Sequence, residues 1–171
     1  MKKKIIITGG LGYIGTELCK LYSGVSWHHK ITVIDNRFIS ERVNQIRNWN
    51  MEFIQGDILD KNLIKKYCTD ADVVHHLAGV TAVPRTKSES SQTQDEKIKE
   101  VGEKGTQNIL EVISDKCKII FPSTHVVYEG INEVKKDIKE SEATKPVLSY
   151  STSKAINEEQ LKESGKNYVI L

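Results

Sequence analysis

Apolar and polar positions along this chain follow two rhythms. Short runs rich in β-branched residues recur at Lys4–Thr8, Ile31–Asp35, Glu52–Gly56, Ala71–Leu77, Lys118–Phe121 and Tyr168–Leu171, and each predicts a strand. Between them lie longer stretches with apolar residues three and four apart. Gly12–Ser23 carries Ile14, Leu18 and Leu21 at helical spacing. Ser40–Asn48 and Lys61–Tyr67 predict short helices, and Ser149–Ser164 a longer one. The clearest stripe is Lys97–Ile113, where Ile98, Val101, Gly105, Ile109 and Val112 share one side. Thr81–Gln94 is polar and has no strong period. This strand–helix alternation predicts an α/β fold, with a parallel sheet covered by helices on both faces.

Length and composition narrow the picture. The 171 residues suit one domain, usually about 100–200 residues long. A hydrophobic share of 38% supplies a core, and 28% charged residues with a net charge of +2 speak against a disordered tail and against a basic nucleic-acid-binding face. No apolar run approaches the roughly 20 residues of a membrane span. Lys2-Lys3-Lys4 before Ile5-Ile6-Ile7 has the charged start of a secretory leader but not its apolar stretch of about 7–15 residues, so the expected location is cytoplasmic. Cys19, Cys68 and Cys117 are widely separated and include no CxxC, which fits reduced thiols rather than a disulfide framework or a zinc site. Asn167–Leu171 reads as a strand that has just begun, so the chain is expected to be part of a longer one.

Thr8-Gly9-Gly10-Leu11-Gly12-Tyr13-Ile14-Gly15 links the first predicted strand to the first predicted helix. Gly10, Gly12 and Gly15 satisfy GxGxxG, and Gly9, Gly12 and Gly15 the related TGxxGxxG spacing. The early glycines permit a tight turn and close approach of backbone N–H groups to a pyrophosphate. The last lets the helix pack on the sheet, and the helix N-terminus adds partial positive charge. Asp35 ends the second strand, 20 residues past Gly15, where a carboxylate can accept both ribose hydroxyls and repel a 2′-phosphate. The expected fold is therefore a Rossmann-type doubly wound parallel sheet. The expected cofactor is NAD in preference to NADP, a preference that the nearby Arg37 weakens. Asp57, in Gly56-Asp57-Ile58, either meets the adenine edge or serves as an N-cap or solvated loop acid. Leu77-Ala78-Gly79 either lets the backbone run beside a cofactor or simply turns the chain.

Tyr150-Ser151-Thr152-Ser153-Lys154 sets Tyr150 and Lys154 on one helix face at i, i+4. It follows a predicted strand ending Phe121-Pro122-Ser123-Thr124. With these pieces in order, the chain resembles the extended short-chain dehydrogenase/reductases, specifically the NAD-dependent nucleotide-sugar epimerase/dehydratase group. The matching segments are TGGLGYIG (8–15), VIDN (33–36), QGDI (55–58), HHLAG (75–79), GTQNILE (105–111), PSTHVVY (122–128) and YSTSK (150–154). The resemblance implies that Thr124, Tyr150 and Lys154 are catalytic. It implies a cofactor-binding set of Gly9, Gly12, Tyr13, Ile14, Asp35, Asn36, Asp57, Ile58, Leu77, Ala78, Gly79, Tyr150 and Lys154. Thr81, Ser123, Thr124 and His125 would stand beside a nucleotide-sugar substrate, in a pocket completed by a C-terminal lobe outside this chain. It further implies a homodimer through the helices at 97–113 and 149–164.

A free phenol titrates near 10. A lysine ammonium about 4 Å away, at an effective dielectric near 20, is worth roughly 4 kcal/mol, or about 3 pKa units. Lys154 is thus expected to bring Tyr150 toward operating pH. Tyr150 would take a proton from a sugar hydroxyl while that carbon passes hydride to NAD. Thr124 would hydrogen-bond the same oxygen, and Lys154 would also hold the nicotinamide ribose.

Departures from the group's pattern qualify this reading. Gly102 occupies a slot where the group usually carries asparagine, and Glu129 one where glycine is usual. Arg85, in the loop Val80–Arg85, either faces a phosphate or is an exposed loop arginine. His28 and His29 are expected at the surface, and His75 and His76 in packing rather than as a metal pair, so no metal is expected. Related dehydratases place Asp and Glu directly after the catalytic threonine, where this chain has His125 and Val126. The expected activity is therefore that of a UDP-glucose 4-epimerase-like enzyme. A nucleotide-sugar 4,6-dehydratase, a 4-keto-sugar reductase and a non-catalytic NAD-binding sensor or scaffold are the alternatives.

Overall fold

A computed structural model describes residues 2–81, 86 and 89–171. Six strands form one sheet: β1 (Lys4–Thr8), β2 (Lys30–Asp35), β3 (Glu52–Gln55), β4 (Val73–His76), β5 (Lys118–Phe121) and β6 (Asn167–Ile170). All pair in parallel, in the order β3-β2-β1-β4-β5-β6. The helices are α1 (Tyr13–Ser23), α2 (Ser40–Asn48), α3 (Lys61–Cys68), α4 (Gln92–Lys99), α5 (Gly105–Val112) and α6 (Ser149–Glu163). The chain winds outward from β1 in one direction, returns to β4, and winds outward in the other. Right-handed crossovers then place α1 and α2 on one face and α3, α5 and α6 on the opposite face. Three consecutive isoleucines show the consequence. Ile5 and Ile7 join Cys19, Val33, Val43 and Ile46, whereas Ile6 packs with Ile64, Val74, Ile109, Ile119 and Leu161. Cys19, Cys68 and Cys117 are buried and unpaired. No helix among the described residues is long and apolar enough to cross a membrane.

The winding reverses between β1 and β4, so a crevice opens at their carboxyl ends. Thr8 pairs with His76 across that boundary, which brings the glycine turn against Leu77–Gly79. Gly9 has φ 70, and a Cβ there would stand 2.6 Å from the Ala78 backbone nitrogen. A side chain at that position would be strained and would clash with backbone.

Most element ends fall within two residues of the sequence pattern. The stripe at Lys97–Ile113 is the exception. The helix starts earlier, at Gln92, because Ser91 Oγ accepts the Gln94 N–H at 3.3 Å and caps it. Glu100–Lys104 then widens into a π-turn between α4 and α5. A 3₁₀ turn at His125–Tyr128 follows β5.

Candidate active site

The glycine turn is held tightly enough to act as a cradle. The Gly12 N–H donates to the Gly9 carbonyl at 3.0 Å, and a Cβ on Gly15 would lie 2.6 Å from Gly10 Cα. Gly12 is the N-cap of α1 and gives it no side-chain cap, so the first turn of this helix offers its N–H groups to a ligand. Tyr13 and Ile14 stand at its mouth, 86% and 60% exposed. Asp35 is only 5% exposed and fixes the turn from the end of β2. Its Oδ2 accepts the Leu11 N–H at 2.9 Å, and its Oδ1 the Arg37 N–H at 3.0 Å. The Arg37 guanidinium closes over the same carboxylate, with Nε 3.1 Å from Oδ1 and Nη2 3.3 Å from Oδ2. A ribose can therefore reach Asp35 only when Arg37, itself largely exposed, swings aside. The cradle, the uncapped helix start and the buried acid together fit a dinucleotide.

Asn36 and Asp57 meet at the neighbouring strand ends, with Asn36 Nδ2 3.1 Å from Asp57 Oδ2. The other Asp57 oxygen accepts the Leu59 N–H at 2.9 Å, so this acid braces its own turn as well as facing Asn36. The Ile58 side chain is buried beneath Gly105, and its carbonyl accepts from Asn108 Nδ2 at 3.0 Å. What Ile58 can offer a cofactor is its backbone N–H.

Leu77, Ala78, Gly79, Thr81, Tyr150 and Lys154 line one pocket, together with Gly102 from the π-turn. The expected coupling of Tyr150 and Lys154 is not present in this conformation. Lys154 Nζ donates to the Pro122 carbonyl at 2.8 Å and lies 4.2 Å from the centroid of the Phe121 ring, against 6.0 Å for Tyr150. Burial pushes the Tyr150 phenol above its ordinary value, the opposite of the expected shift. Burial also lowers Lys154 to about 8, with the Glu158 charge opposing.

Thr124 opens the 3₁₀ turn. Its Oγ1 accepts the Val126 N–H at 3.4 Å, which leaves its own proton to donate. Ser123 Oγ is engaged from below by Glu158 Oε1 at 2.5 Å. His125 is exposed, and Arg85 lies outside the described residues. Gly102 gives its carbonyl to Asn157 Nδ2 at 3.1 Å, and its missing Cβ makes room for the Ser153 hydroxyl. No group of three or more His, Cys, Asp or Glu among the described residues is arranged to hold a metal.

Sequence reasoning missed two features. His76 is buried in a hydroxyl chain. Thr8 Oγ1 accepts the Ala78 N–H at 3.3 Å and shares a hydrogen bond with His76 Nδ1 at 3.0 Å. His76 Nε2 shares another with Thr106 Oγ1 at 3.0 Å. Burial, and then the Lys154 charge, push His76 down to about 3, which keeps this strut neutral. His75 instead meets Tyr22 Oη through Nε2 at 2.8 Å on the other face. The second feature is Glu129, whose carboxylate accepts the Val147 and Leu148 N–H groups at 2.9 and 2.8 Å. Thr8 opposite His76 on paired strand ends hints at the first. The sequence marks Glu129 as a departure from the usual glycine but does not say which groups its carboxylate meets.

Strand order, glycine turn and the Tyr150/Lys154 helix define a dinucleotide-binding domain of the short-chain dehydrogenase/reductase class. More particularly, the chain belongs to the NAD dependent epimerase/dehydratase family, whose model matches residues 5–171. It is similar to the UDP-N-acetyl-alpha-D-glucosaminuronate decarboxylase of Bacillus cytotoxicus, with 35% identity over 130 residues, 75% of this chain and 38% of that protein. It is also similar to the UDP-glucose 4-epimerase of Neisseria meningitidis serogroup C, with 30% identity across 96% of this chain and 49% of that protein. Among solved structures, the UDP-glucuronic acid 4-epimerase from Bacillus cereus, in complex with UDP-glucuronic acid and NAD, matches with a TM-score of 0.76 and 26% identity, over 99% of this chain and 55% of that one. The chain thus spans about half or less of the length of the curated relatives it matches.

Proposed function

We propose that residues 1–171 are the NAD-binding, catalytic part of a nucleotide-sugar epimerase resembling UDP-glucose 4-epimerase, whose sugar-binding lobe lies outside this chain. The observation that carries this reading is the pocket shared by Tyr150, Lys154 and Leu77–Gly79 at the reversal of the sheet. Bound NAD supplies the hydride acceptor. The chain's own residues do the rest. The backbone N–H groups of the glycine turn and of α1 hold a pyrophosphate. Asp35 takes the adenosine ribose once Arg37 releases it. With NAD bound, Lys154 would leave the Pro122 carbonyl to hold the nicotinamide ribose, and its charge near the phenol would lower the Tyr150 pKa. Thr124 donates to the sugar oxygen, and Tyr150 removes its proton and later returns it.

A 4,6-dehydratase needs a further acid and base to expel water. Val126 carries no proton, so the positions after Thr124 do not supply that pair. A reductase would suit the same site but would have to exchange its cofactor every turnover. A sensor or scaffold would have no use for the complete Thr124/Tyr150/Lys154 set. Homodimerisation through the α4–α5 and α6 helices and a cytoplasmic location belong to the same proposal. The first rests on the family resemblance, and the second on three buried thiols that form no disulfide. Incubating the full-length protein with UDP-hexoses and catalytic NAD tests the reading. Interconversion of C4 epimers without net NADH is expected, and accumulation of a 4-keto-6-deoxy sugar would overturn it.

A further inference from the structure

We propose that Glu129 is a positioning residue that seats the helix carrying Tyr150 against the turn carrying Thr124. This rests on the reading of Tyr150 as the acid–base group. α6 has Leu148 at its N-cap, a residue whose side chain cannot accept a hydrogen bond. Glu129 instead fixes the entry to the helix, through the N–H of the N-cap residue Leu148 and that of Val147 just before it. One oxygen, Oε1, accepts the Val147 N–H, the Leu148 N–H and the Ser151 hydroxyl. Ser151 Oγ reinforces the cap, accepting the Leu148 N–H at 3.1 Å. Burial would raise the Glu129 carboxyl, but the bonds from Ser151, Leu148 and Val147 prevail and hold it below the usual carboxylate range. The negative charge also lies at the positive end of the α6 dipole.

The position of Glu129 turns a helix cap into a link between two parts of the site. It is the C-cap residue of the 3₁₀ turn that Thr124 opens. Two backbone bonds strengthen the same link, from the Lys145 N–H to the Val127 carbonyl and from the Gly130 N–H to the Lys145 carbonyl, each 2.8 Å. Residues 131–144 leave and return at this strap. Tyr150 is the second residue of α6, so fraying of the first turn displaces the phenol directly. A glycine at 129, as the resemblance would have it, could make none of these side-chain bonds.

The experiment compares Glu129→Ala, Glu129→Gln and Tyr150→Phe in the full-length protein. It reads turnover, NAD affinity and amide hydrogen exchange at residues 147–151. For Glu129→Ala we expect faster exchange there and kcat lowered about 10- to 100-fold, with NAD affinity lowered far less because the glycine turn and Asp35 belong to other elements. Glu129→Gln keeps an acceptor oxygen and should recover most of kcat and slow exchange. Wild-type turnover in Glu129→Ala, with Tyr150→Phe inactive, would overturn the proposal. If Glu129→Ala does not fold, Glu129→Gln decides: kcat lost despite slow exchange would overturn it. Wild-type turnover in Tyr150→Phe would instead overturn the reading of Tyr150, and the exchange data alone would then judge the cap.

Discussion

Lys154 points away from the residue it is meant to assist, and that makes its protonation measurable. With a pKa near 8, the ammonium is charged below that pH and neutral above it. NAD affinity that depends on its donors should weaken as pH rises through about 8, and Lys154→Met should flatten the profile. A flat wild-type profile across the same range would contradict the role. Tyr150→Phe should cut turnover by about 10²–10⁴-fold while NAD binding stays nearly intact, as a titration of the variant would show. Arg37 now saturates the Asp35 carboxylate. NAD should still bind more tightly than NADP, because Asp35 repels a 2′-phosphate once the guanidinium leaves. Arg37→Ala should widen the preference, since it removes the cation available to that phosphate. Paired titrations decide this, and tighter NADP binding by the wild type would sink it.

Elements differ in how openly the sequence announces them. β1 is legible because Ile5, Ile6 and Ile7 are needed on both faces of a buried sheet. The glycine turn is legible because Gly9 must adopt φ 70 against the Ala78 backbone. Gly9→Ala should therefore cost about 1–3 kcal/mol by strain and overpacking and weaken NAD binding. An unchanged thermal midpoint would contradict this. The start of α4 is illegible to periodicity because its first turn is polar and largely solvent-facing, and only the Ser91 cap marks it. Spacing at i, i+4 puts Tyr150 and Lys154 on one face but cannot say that the Pro122 carbonyl takes the ammonium. With no cation drawing it down, burial raises the Tyr150 phenol, against the expected direction. The Glu129 cap is long-range in sequence, so no local pattern contains it.

At the scale of the molecule, α4, α6 and the π-turn leave Lys97, Lys104, Glu159, Lys162 and Glu163 on exposed positions. Pairing of two copies through these helices would be substantially polar and hence sensitive to salt. Light scattering of the full-length protein should give a dimer at low ionic strength, and a monomer at high protein concentration would contradict it. In the epimerase activity we propose, one hydride leaves a sugar carbon and returns to it at the site between Gly79, Tyr150 and Lys154. The most direct test follows a deuterium placed at C4 of a UDP-hexose during turnover by the full-length protein with catalytic NAD. Epimerised product should keep the label at C4, and Tyr150→Phe should give no epimerised product. Label recovered at C6 of a deoxy-keto sugar, or in released reduced cofactor, would contradict the claim.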